Sequence, residues 1–572
     1  MTSKSTFKYY ESHSDISLVR AAAETLFNEK RKGKRSEVLN MKALYEKACN
    51  CSGVTSTDRK VDPDIIREFN LPFNAHVLNH NHGRVVGRNA KIRHFYNRAR
   101  GSEKKELESL VLEAVYQMSH RELFIAEACL GLDPDLMIKA RMITSENNLI
   151  NMYNWSLNFM PFELIKDKYS DSAALDIQDI LVVSFPDWKD DLKRDEYKHG
   201  TVIVDYEHNT IFILGLRYFG EHKKGTLTLA WSSGMRLGRV ACHGGIKEAD
   251  FNDENMDNSR KVIAFFGLSG SGKSSHTNSH DNGGSLPENT VVTIAHDDAF
   301  QIDLVNKKCT VWEPSLFDKT DQRPYNHPDW KQVVSTQNQL LVCDEDNNIF
   351  PGGLDVRNKN GRAIFSRSLL GRYKNSIGFP DSINWLMKDS SLPPVIKLGS
   401  PELAVAFGTT LMTKRTAAED VSEDEMNKLV FEPFANPFRV YELYKDCEGF
   451  LELYKTGADF HSFNSGGFWK TSDSDVQAIP LKLSLRLQTA LLKNEISWIP
   501  WTMLKNAFIP EPSCIDKIWP GYSKIYDSEK VINKEKYDEL FKSRMAQRID
   551  FIEKSLRADR PDLCDSLIHA FE

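Results

Sequence analysis

The stretch FFGLSGSGKSS, residues 265–275, decides the fold of this chain. Residues 267–274 fit the pattern G-x-x-x-x-G-K-S/T in full, and the apolar run KVIAFF (261–266) before them is typical of a buried strand. A strand that leads into a glycine-rich loop and then a helix predicts an α/β unit that binds a nucleotide. The alternative is a glycine-rich turn that matches by chance. The loop residues are Gly267, Leu268, Ser269, Gly270, Ser271, Gly272, Lys273, Ser274 and Ser275, here called the phosphate loop.

The residue types of the phosphate loop explain what it would bind. Glycines let the backbone turn tightly enough to direct several N–H groups at one phosphate chain, and the following helix adds the positive end of its dipole. Lys273 can reach the β- and γ-phosphates, and the hydroxyl of Ser274 can ligate Mg²⁺. We therefore expect a nucleotide bound together with Mg²⁺.

Two adjacent carboxylates follow the next predicted strand, VVTIAH (291–296). Enzymes with a phosphate loop need a carboxylate at such a strand end to hold the metal or its waters. Asp297 and Asp298 are therefore candidates for metal binding and catalysis, although aspartates after strands are also common as turn residues.

Composition limits the remaining function classes. The 572 residues exceed one ordinary core, so at least two large lobes are expected. A net charge of −6 argues against a nucleic-acid binder. The nine cysteines show no disulfide framework, and no apolar run reaches the ~18 residues that span a bilayer. We expect a cytoplasmic protein without a membrane or nucleic-acid partner, and a monomer in the absence of a visible apolar patch.

Changes in polarity and hydrophobic periodicity along the chain predict three segments. Residues 1–60 form a polar N-terminal extension, 61–248 a mixed α/β lobe, and 249–572 a nucleotide-binding lobe with C-terminal helices. Residues 105–170 show helical periodicity, and YEHNT (206–210) is predicted to join two strands as a hairpin. Residues 534–556 predict an amphipathic helix.

Read with their flanks, these motifs resemble ATP-dependent phosphoenolpyruvate carboxykinase. The family's phosphate-loop segment FFGLSGTGKTT corresponds to FFGLSGSGKSS here, and its ILGTEYAGEMKKG corresponds to ILGLRYFGEHKKG (213–225). NKNGRAIFS (358–366) is similar to ENTRAAYPI, and LPPVIKLGSPELAVAFG (392–408) to LPPVSKLTPEQAMYHFL. The resemblance runs in the same order from about residue 85 to 550.

The resemblance implies a two-lobed fold with the active site in the cleft between a substrate-side lobe and a nucleotide-binding lobe. It also implies a Mn²⁺ site in addition to the Mg²⁺ that accompanies ATP. Lys224, His243 and Asp298 would be the Mn²⁺ ligands, and Lys223 would touch the transferred phosphate. Tyr218 and Arg88 would bind the organic substrate, and Arg362 would neutralise charge on the phosphate and the developing enolate.

Several motifs depart from the family pattern. HCSAN becomes HGGIK (243–247), GDDEH becomes HDDAF (296–300), and the base-binding GKRISIKDTRA becomes AIPLKLSLRLQ (478–488). The lid, expected at about 415–430, is acidic and lacks the usual glycine.

Three functions stay open on this pattern. One is a divergent carboxykinase that converts oxaloacetate and ATP to phosphoenolpyruvate, ADP and CO₂. The second is a kinase of the same fold that phosphorylates a hydroxyl acceptor such as a polyol, with Asp297 as base. The third is a non-catalytic nucleotide sensor. The sequence favours ATP over GTP only through the resemblance.

Overall fold

The computed structural model describes residues 17–28, 30–31, 34–35, 37–81, 92–252, 259–268, 270–357, 360–414 and 428–572. These residues divide into two compact units. The first contains the described residues up to Ser233 and the segment Trp312–Leu369; the second contains Gly234–Val311 and the described residues from Leu370 to Glu572. The segment limits at residues 60 and 248 that the sequence suggested stay a prediction. The two units are each assembled from separate parts of the chain, so they do not correspond to consecutive segments.

Thirty-three strands are defined within the described residues. The first eighteen are β1 (Lys30–Arg31), β2 (Lys34–Arg35), β3 (Glu37–Val38), β4 (Val54–Lys60), β5 (His76–His80), β6 (Arg93–Phe95), β7 (Leu123–Leu130), β8 (Ile138–Ser145), β9 (Met160–Pro161), β10 (Ile180–Phe185), β11 (Thr201–Asp205), β12 (Thr210–Leu214), β13 (Val240–His243), β14 (Gly245–Asp250), β15 (Arg260–Phe266), β16 (Val291–His296), β17 (Ala299–Asp303) and β18 (Lys308–Val311). The others are β19 (Ser315–Lys319), β20 (Val333–Gln337), β21 (Leu341–Cys343), β22 (Ile349–Pro351), β23 (Arg362–Ser366), β24 (Ser376–Gly378), β25 (Ser382–Met387), β26 (Val395–Leu398), β27 (Met412–Lys414), β28 (Leu429–Phe431), β29 (Asp459–Asn464), β30 (Gly467–Trp469), β31 (Val476–Ala478), β32 (Trp498–Pro500) and β33 (Ala507–Pro510).

The α-helices of the described residues number fifteen. They are α1 (Leu18–Asn28), α2 (Met41–Cys49), α3 (Pro63–Phe69), α4 (Gly101–Ser119), α5 (Leu149–Asn158), α6 (Phe162–Tyr169), α7 (Phe219–Arg236), α8 (Lys273–Thr277), α9 (Pro401–Thr409), α10 (Leu443–Lys455), α11 (Leu481–Leu492), α12 (Pro512–Ile518), α13 (Tyr522–Ile525), α14 (Lys534–Leu556) and α15 (Pro561–His569). Within that part of the chain, no helix combines the length and apolar character that a bilayer span requires.

Two sheets form the framework of the first unit. The larger has the order β3-β7-β8-β10-β12-β11-β6, with β9 paired to β7, and β8, β10 and β12 run parallel to one another. Helices α1 and α4 pack their apolar residues on this sheet, and Val19, Ala23 and Leu110 are fully buried there. The smaller sheet has the order β19-β23-β20-β5-β4.

The prediction of continuous helix over 105–170 is wrong in its middle. Residues 101–119 and 149–169 contain helices, but β7 and β8 lie between them as an antiparallel pair. Both strands are almost wholly buried. The periodicity of a largely apolar run does not tell a buried strand from a buried helix. The tertiary packing therefore determines the secondary structure of this segment.

Other predicted elements are confirmed. The hairpin at 206–210 joins β11 to β12 in antiparallel register, with Asp205 opposite Thr210. The run 261–266 lies in β15, and β16 ends directly before the aspartate pair. The predicted helix 534–556 is α14, in which Tyr537, Phe541, Met545 and Ile552 are buried. Their spacing of three to four residues or multiples of it places them on one face of the helix.

The second unit is built on an eight-stranded sheet of order β16-β14-β15-β25-β29-β26-β33-β32. Its inner strands β15, β25 and β29 are parallel, and the outer ones are antiparallel to their neighbours. A four-stranded antiparallel sheet, β13-β17-β18-β24, completes the framework. The phosphate loop follows β15, so it lies at the carboxyl end of the parallel strands, where open α/β sheets bind their ligands.

Candidate active site

The phosphate loop turns directly from β15 into α8. Gly270 and Gly272 have φ angles of +81° and +88°, in the left-handed region that glycine adopts without a steric cost. The N–H and the hydroxyl of Ser271 both donate to the carbonyl of Leu268, at 3.0 and 2.7 Å. The N–H groups in the first turn of α8 have no acceptor within the helix, as at any helix start. The loop therefore offers backbone donors at the sheet edge.

Lys273, the first residue of α8, contacts the aspartate that follows β16. Its Nζ lies 2.9 Å from Oδ1 of Asp297 and also donates to the backbone carbonyl of the same residue. The other carboxylate oxygen of Asp297 accepts from the side-chain amide of Asn278 at 3.2 Å. The structure thus joins the lysine of the phosphate loop and the first aspartate of the pair in one ion pair.

The second aspartate lies beside His243, the last residue of β13. Nε2 of His243 is 3.1 Å from Oδ1 of Asp298, and the N–H of Gly244 donates to the carbonyl of Asp298 at 3.0 Å. Antiparallel pairing of β13 with β17 sets His243 opposite Ala299, which brings the histidine next to Asp298. The other ring nitrogen, Nδ1, donates to the carbonyl of Ala435 at 2.5 Å.

This pair fits a divalent transition metal. An imidazole nitrogen and a carboxylate oxygen are both ligands that Mn²⁺ accepts, and the hydrogen bond at Nδ1 leaves Nε2 as the nitrogen facing the carboxylate. Within the part of the chain that the structure describes, no three histidine, cysteine, aspartate or glutamate side chains form a metal site by themselves. The predicted site differs in taking a lysine as its third ligand.

The predicted third ligand, Lys224, belongs to the first unit and lies on α7. It is half-buried, and its Nζ is 5.9 Å from the ring centre of Trp231, about two turns further along the helix. Its neighbour Lys223 is fully buried and forms an ion pair with Glu313 at 3.1 Å. Glu313 also accepts from the amide of Asn158.

The turn that precedes α7 positions Tyr218. The N–H at Nδ1 of His222 donates to the carbonyl of Tyr218 at 3.2 Å, and Nε2 lies 2.7 Å from the hydroxyl of Ser184. Burial lowers the pKa of His222 to about 4, so the ring is neutral near pH 7. A Cβ on Gly220 would approach the ring of Tyr218 to 2.3 Å, so glycine is required for this placement.

Two cations face each other across neighbouring strands of the first unit. Arg362 begins β23 and lies opposite Lys319, the last residue of β19. Nε of Arg362 donates to Oδ1 of Asn360 at 2.9 Å. Burial first, and then the charge of Arg362, lower the pKa of Lys319. A lysine and an arginine on neighbouring strands can together bind an anion such as a phosphate or a carboxylate.

Four of the predicted site residues contact one another in two pairs within the second unit. Lys273 pairs with Asp297, and His243 pairs with Asp298. Arg88, Ser269 and residues 415–427 of the predicted lid lie outside the described residues. Sequence reasoning missed Glu313, Lys319 and the carbonyl of Ala435. No local motif marks them, because each becomes relevant only through a strand register or a loop that returns from far along the chain. The assignment of functional roles to these side chains stays a prediction.

Comparison with known proteins identifies relatives over most of the chain. The model of the phosphoenolpyruvate carboxykinase family matches residues 89–512. The phosphoenolpyruvate carboxykinase (ATP) 2 of Salinibacter ruber is 25% identical over 59% of this chain and 60% of its own length. The enzyme named phosphoenolpyruvate carboxykinase (ATP) in Aeropyrum pernix is 24% identical over 68% of this chain and 73% of its own. Its namesake in Cereibacter sphaeroides is 24% identical over 77% and 80%.

Proposed function

The chain belongs to the ATP-dependent phosphoenolpyruvate carboxykinase family, and we propose that it converts oxaloacetate and ATP to phosphoenolpyruvate, ADP and CO₂. The observation that carries this proposal most directly is the pairing of Lys273 with Asp297 and of His243 with Asp298 next to the phosphate loop.

In this proposal, the second unit binds the nucleotide. The N–H groups of the phosphate loop and the start of α8 hold the phosphate chain, and Lys273 exchanges its contact with Asp297 for the β- and γ-phosphates. The hydroxyl of Ser274 would hold the Mg²⁺ that accompanies ATP. We propose ATP and not GTP, on the strength of the ATP-dependent relatives.

The first unit provides the groups for the organic substrate. The C–C bond to the departing carboxylate breaks, CO₂ leaves, and the electron pair forms an enolate. The enolate oxygen then attacks the γ-phosphorus while the bond to ADP breaks. Arg362 and Lys319 would offset the negative charge that develops, Lys223 would exchange its contact with Glu313 for the transferred phosphate, and Tyr218 would bind the substrate. No general base is needed, because decarboxylation creates the nucleophile.

Lys224, His243 and Asp298 would hold a Mn²⁺ ion, which when bound supplies positive charge beside the transferred phosphate. A neutral lysine is a requirement of this ligand set, and a dication nearby favours the uncharged amine. The carbonyl of Ala435 keeps the proton of His243 on Nδ1, so that Nε2 stays available.

The kinase alternative, with a hydroxyl acceptor, requires Asp297 to act as base. In the structure this carboxylate already accepts from Lys273 and from Asn278. Both oxygens of this carboxylate are therefore engaged by donors. We favour the carboxykinase because the relatives carry that activity in their names, and in it Asp297 needs to take no proton.

A coupled assay tests the proposal. Purified protein with ATP, Mg²⁺ and Mn²⁺ should produce ADP, CO₂ and phosphoenolpyruvate in equal amounts from oxaloacetate. The Lys273→Met variant serves as the blank for contaminating activity. ADP release with a polyol and none with oxaloacetate would establish the kinase instead. Nucleotide-dependent thermal stabilisation without turnover on either substrate would indicate a sensor.

A further inference from the structure

A short loop supports His243 from the side opposite Asp298. It runs from Glu432 to Tyr441 and is here called the histidine-support loop. Nδ1 of His243 donates to the carbonyl of Ala435 at 2.5 Å, and the ring of Phe438 packs edge-on against the imidazole with 5.4 Å between ring centres. The loop thus fixes both the proton position and the plane of the ring.

The backbone of the histidine-support loop is strained where it meets the histidine. Phe434 and Ala435 have φ angles of +53° and +52°, and neither is a glycine. Both are buried, and such consecutive left-handed residues persist only where the surrounding contacts over-determine them. Strain of this kind is concentrated at functional sites, and here it orients the carbonyl of Ala435 towards His243.

Helix α10 anchors the loop at both ends. The rings of Phe434 and Phe450 stack with 4.7 Å between centres and 13° between planes. At the far end, the hydroxyl of Tyr441 donates to Oδ1 of Asp446 at 2.7 Å, and Nη1 of Arg439 is 3.6 Å from Oδ2. Tyr441 and Asp446 are 1% and 4% exposed, so this contact lies in the protein interior.

The same helix also packs on the strand that carries His243. A Cβ on Gly449 of α10 would lie 3.0 Å from Cγ2 of Val240, the first residue of β13. The strand β13, the histidine-support loop and the helix α10 therefore each pack on the other two. A displacement of the loop on α10 would change the position of the loop at His243.

We propose that Tyr441 and Asp446 are positioning residues that act through the histidine-support loop to hold His243 in the ligand geometry for Mn²⁺. The inference rests on the proposed function only in taking His243 and Asp298 as metal ligands. It assigns a role to the buried hydrogen bond between Tyr441 and Asp446, six positions along the loop from the carbonyl that holds His243, on residues outside the motifs of the phosphate machinery.

The test is the affinity of the full chain for Mn²⁺ without nucleotide, measured by electron paramagnetic resonance of the free ion. Tyr441→Phe removes one hydroxyl and no packing volume of the ring. Substitution of a residue that hydrogen-bonds a ligating histidine typically lowers metal affinity by about 10–100-fold. Tyr441 acts indirectly, through the backbone of the loop, so loss of its hydroxyl should raise the Kd for Mn²⁺ by a smaller factor, about 3–10-fold. Saturating Mn²⁺ should restore kcat, and the affinity for ATP should not change.

Tyr537→Phe is the matched control. Tyr537 is equally buried in the same unit, and its hydroxyl donates to the carbonyl of Ser391 at 2.7 Å, in a part of the fold remote in sequence from the loop. Both variants should lose similar thermal stability, while only Tyr441→Phe weakens Mn²⁺ binding. Equal Kd values for the two variants and the wild type would overturn the proposal.

The outcome separates this proposal from the proposed reaction. A Mn²⁺ site that is lost in His243→Ala and weakened in Tyr441→Phe supports the positioning role even if oxaloacetate is not turned over. Turnover of oxaloacetate with unaltered Mn²⁺ affinity in Tyr441→Phe supports the reaction and refutes the positioning role. Absence of any His243-dependent Mn²⁺ binding refutes the metal assignment on which the positioning role depends.

Discussion

Nε2 of His243 lies 3.1 Å from Oδ1 of Asp298, although the two residues are 55 positions apart in the sequence. The pairing of β13 with β17 creates this contact, and the carbonyl of Ala435 orients the ring from behind. A histidine and a carboxylate at this distance can share one cation with little movement of either side chain.

Asp298→Asn should therefore raise the concentration of Mn²⁺ needed for half-maximal activity by about tenfold or more, because the substitution removes a charged ligand and keeps the shape. Steady-state kinetics over a Mn²⁺ series measure this change. Asp459→Asn is the control, since Asp459 forms an ion pair with Lys397 elsewhere in the same unit. An unchanged Mn²⁺ requirement in Asp298→Asn would remove this residue from the ligand set.

Lys273→Met should lower kcat by about a hundredfold or more, because the variant lacks the cation that stabilises charge on the transferred phosphoryl group. The fold should be retained, because Asp297 keeps the hydrogen bond from the side-chain amide of Asn278 when the lysine is replaced. Circular dichroism and the coupled assay measure the two effects separately. Lys397→Met, which breaks the ion pair with Asp459, should retain activity.

Gly272→Ala should weaken ATP binding, because a non-glycine residue at a φ of +88° costs about 1–2 kcal/mol and turns the loop away from its phosphate-binding shape. Gly457→Ala provides a comparison, since Gly457 has a φ of +94° and open space around its Cβ position. Both variants should lose similar stability in urea, but only Gly272→Ala should lose ATP affinity in calorimetry. Equal ATP affinity in the two variants would contradict a role for the loop in nucleotide binding.

Glu313→Gln should destabilise the first unit by about 3 kcal/mol, because it leaves the buried charge of Lys223 without its carboxylate. The double variant Lys223→Met/Glu313→Gln should recover most of this loss and stay inactive. Chemical denaturation of the single and double variants measures the coupling. A double variant as unstable as the single one would show that Glu313 serves other contacts and not the lysine.

Acid should destabilise the protein between about pH 6.5 and 4 through its buried histidines. Burial lowers the pKa of His461 to about 4 from an ordinary value of 6.5. The unfolded chain therefore binds a proton in this window that the folded chain does not, and stability falls as the pH falls, by about 1.4 kcal/mol per pH unit for each such group. His461→Gln should reduce the slope of unfolding free energy against pH, measured in urea at pH 7, 6 and 5. The same slope in wild type and variant would exclude this histidine as a source.

The sequence predicted the elements that carry a local signature. The strand KVIAFF, the phosphate loop and the aspartate pair follow from residue types whose spacing reflects one backbone geometry. The strands β7 and β8 were assigned to a helix, because buried runs such as LFIAEACL have no alternation to reveal. Glu313, Lys319 and Ala435 could not be found in this way, since a buried ion pair, a strand register and a strained carbonyl exist only once distant segments have packed.

The five-stranded sheet of the first unit draws β4 and β5 from one part of the chain and β19, β20 and β23 from another, with Gly234–Val311 of the second unit between them. During synthesis, the ribosome must therefore release residue 366 before this sheet can close. A gene truncated near position 249 would encode the β4–β5 pair without β20, β23 and β19, the other three strands of its sheet. Dividing the gene at one position therefore cannot yield the two units separately. Their separate expression requires the parts of the chain to be joined in a new order.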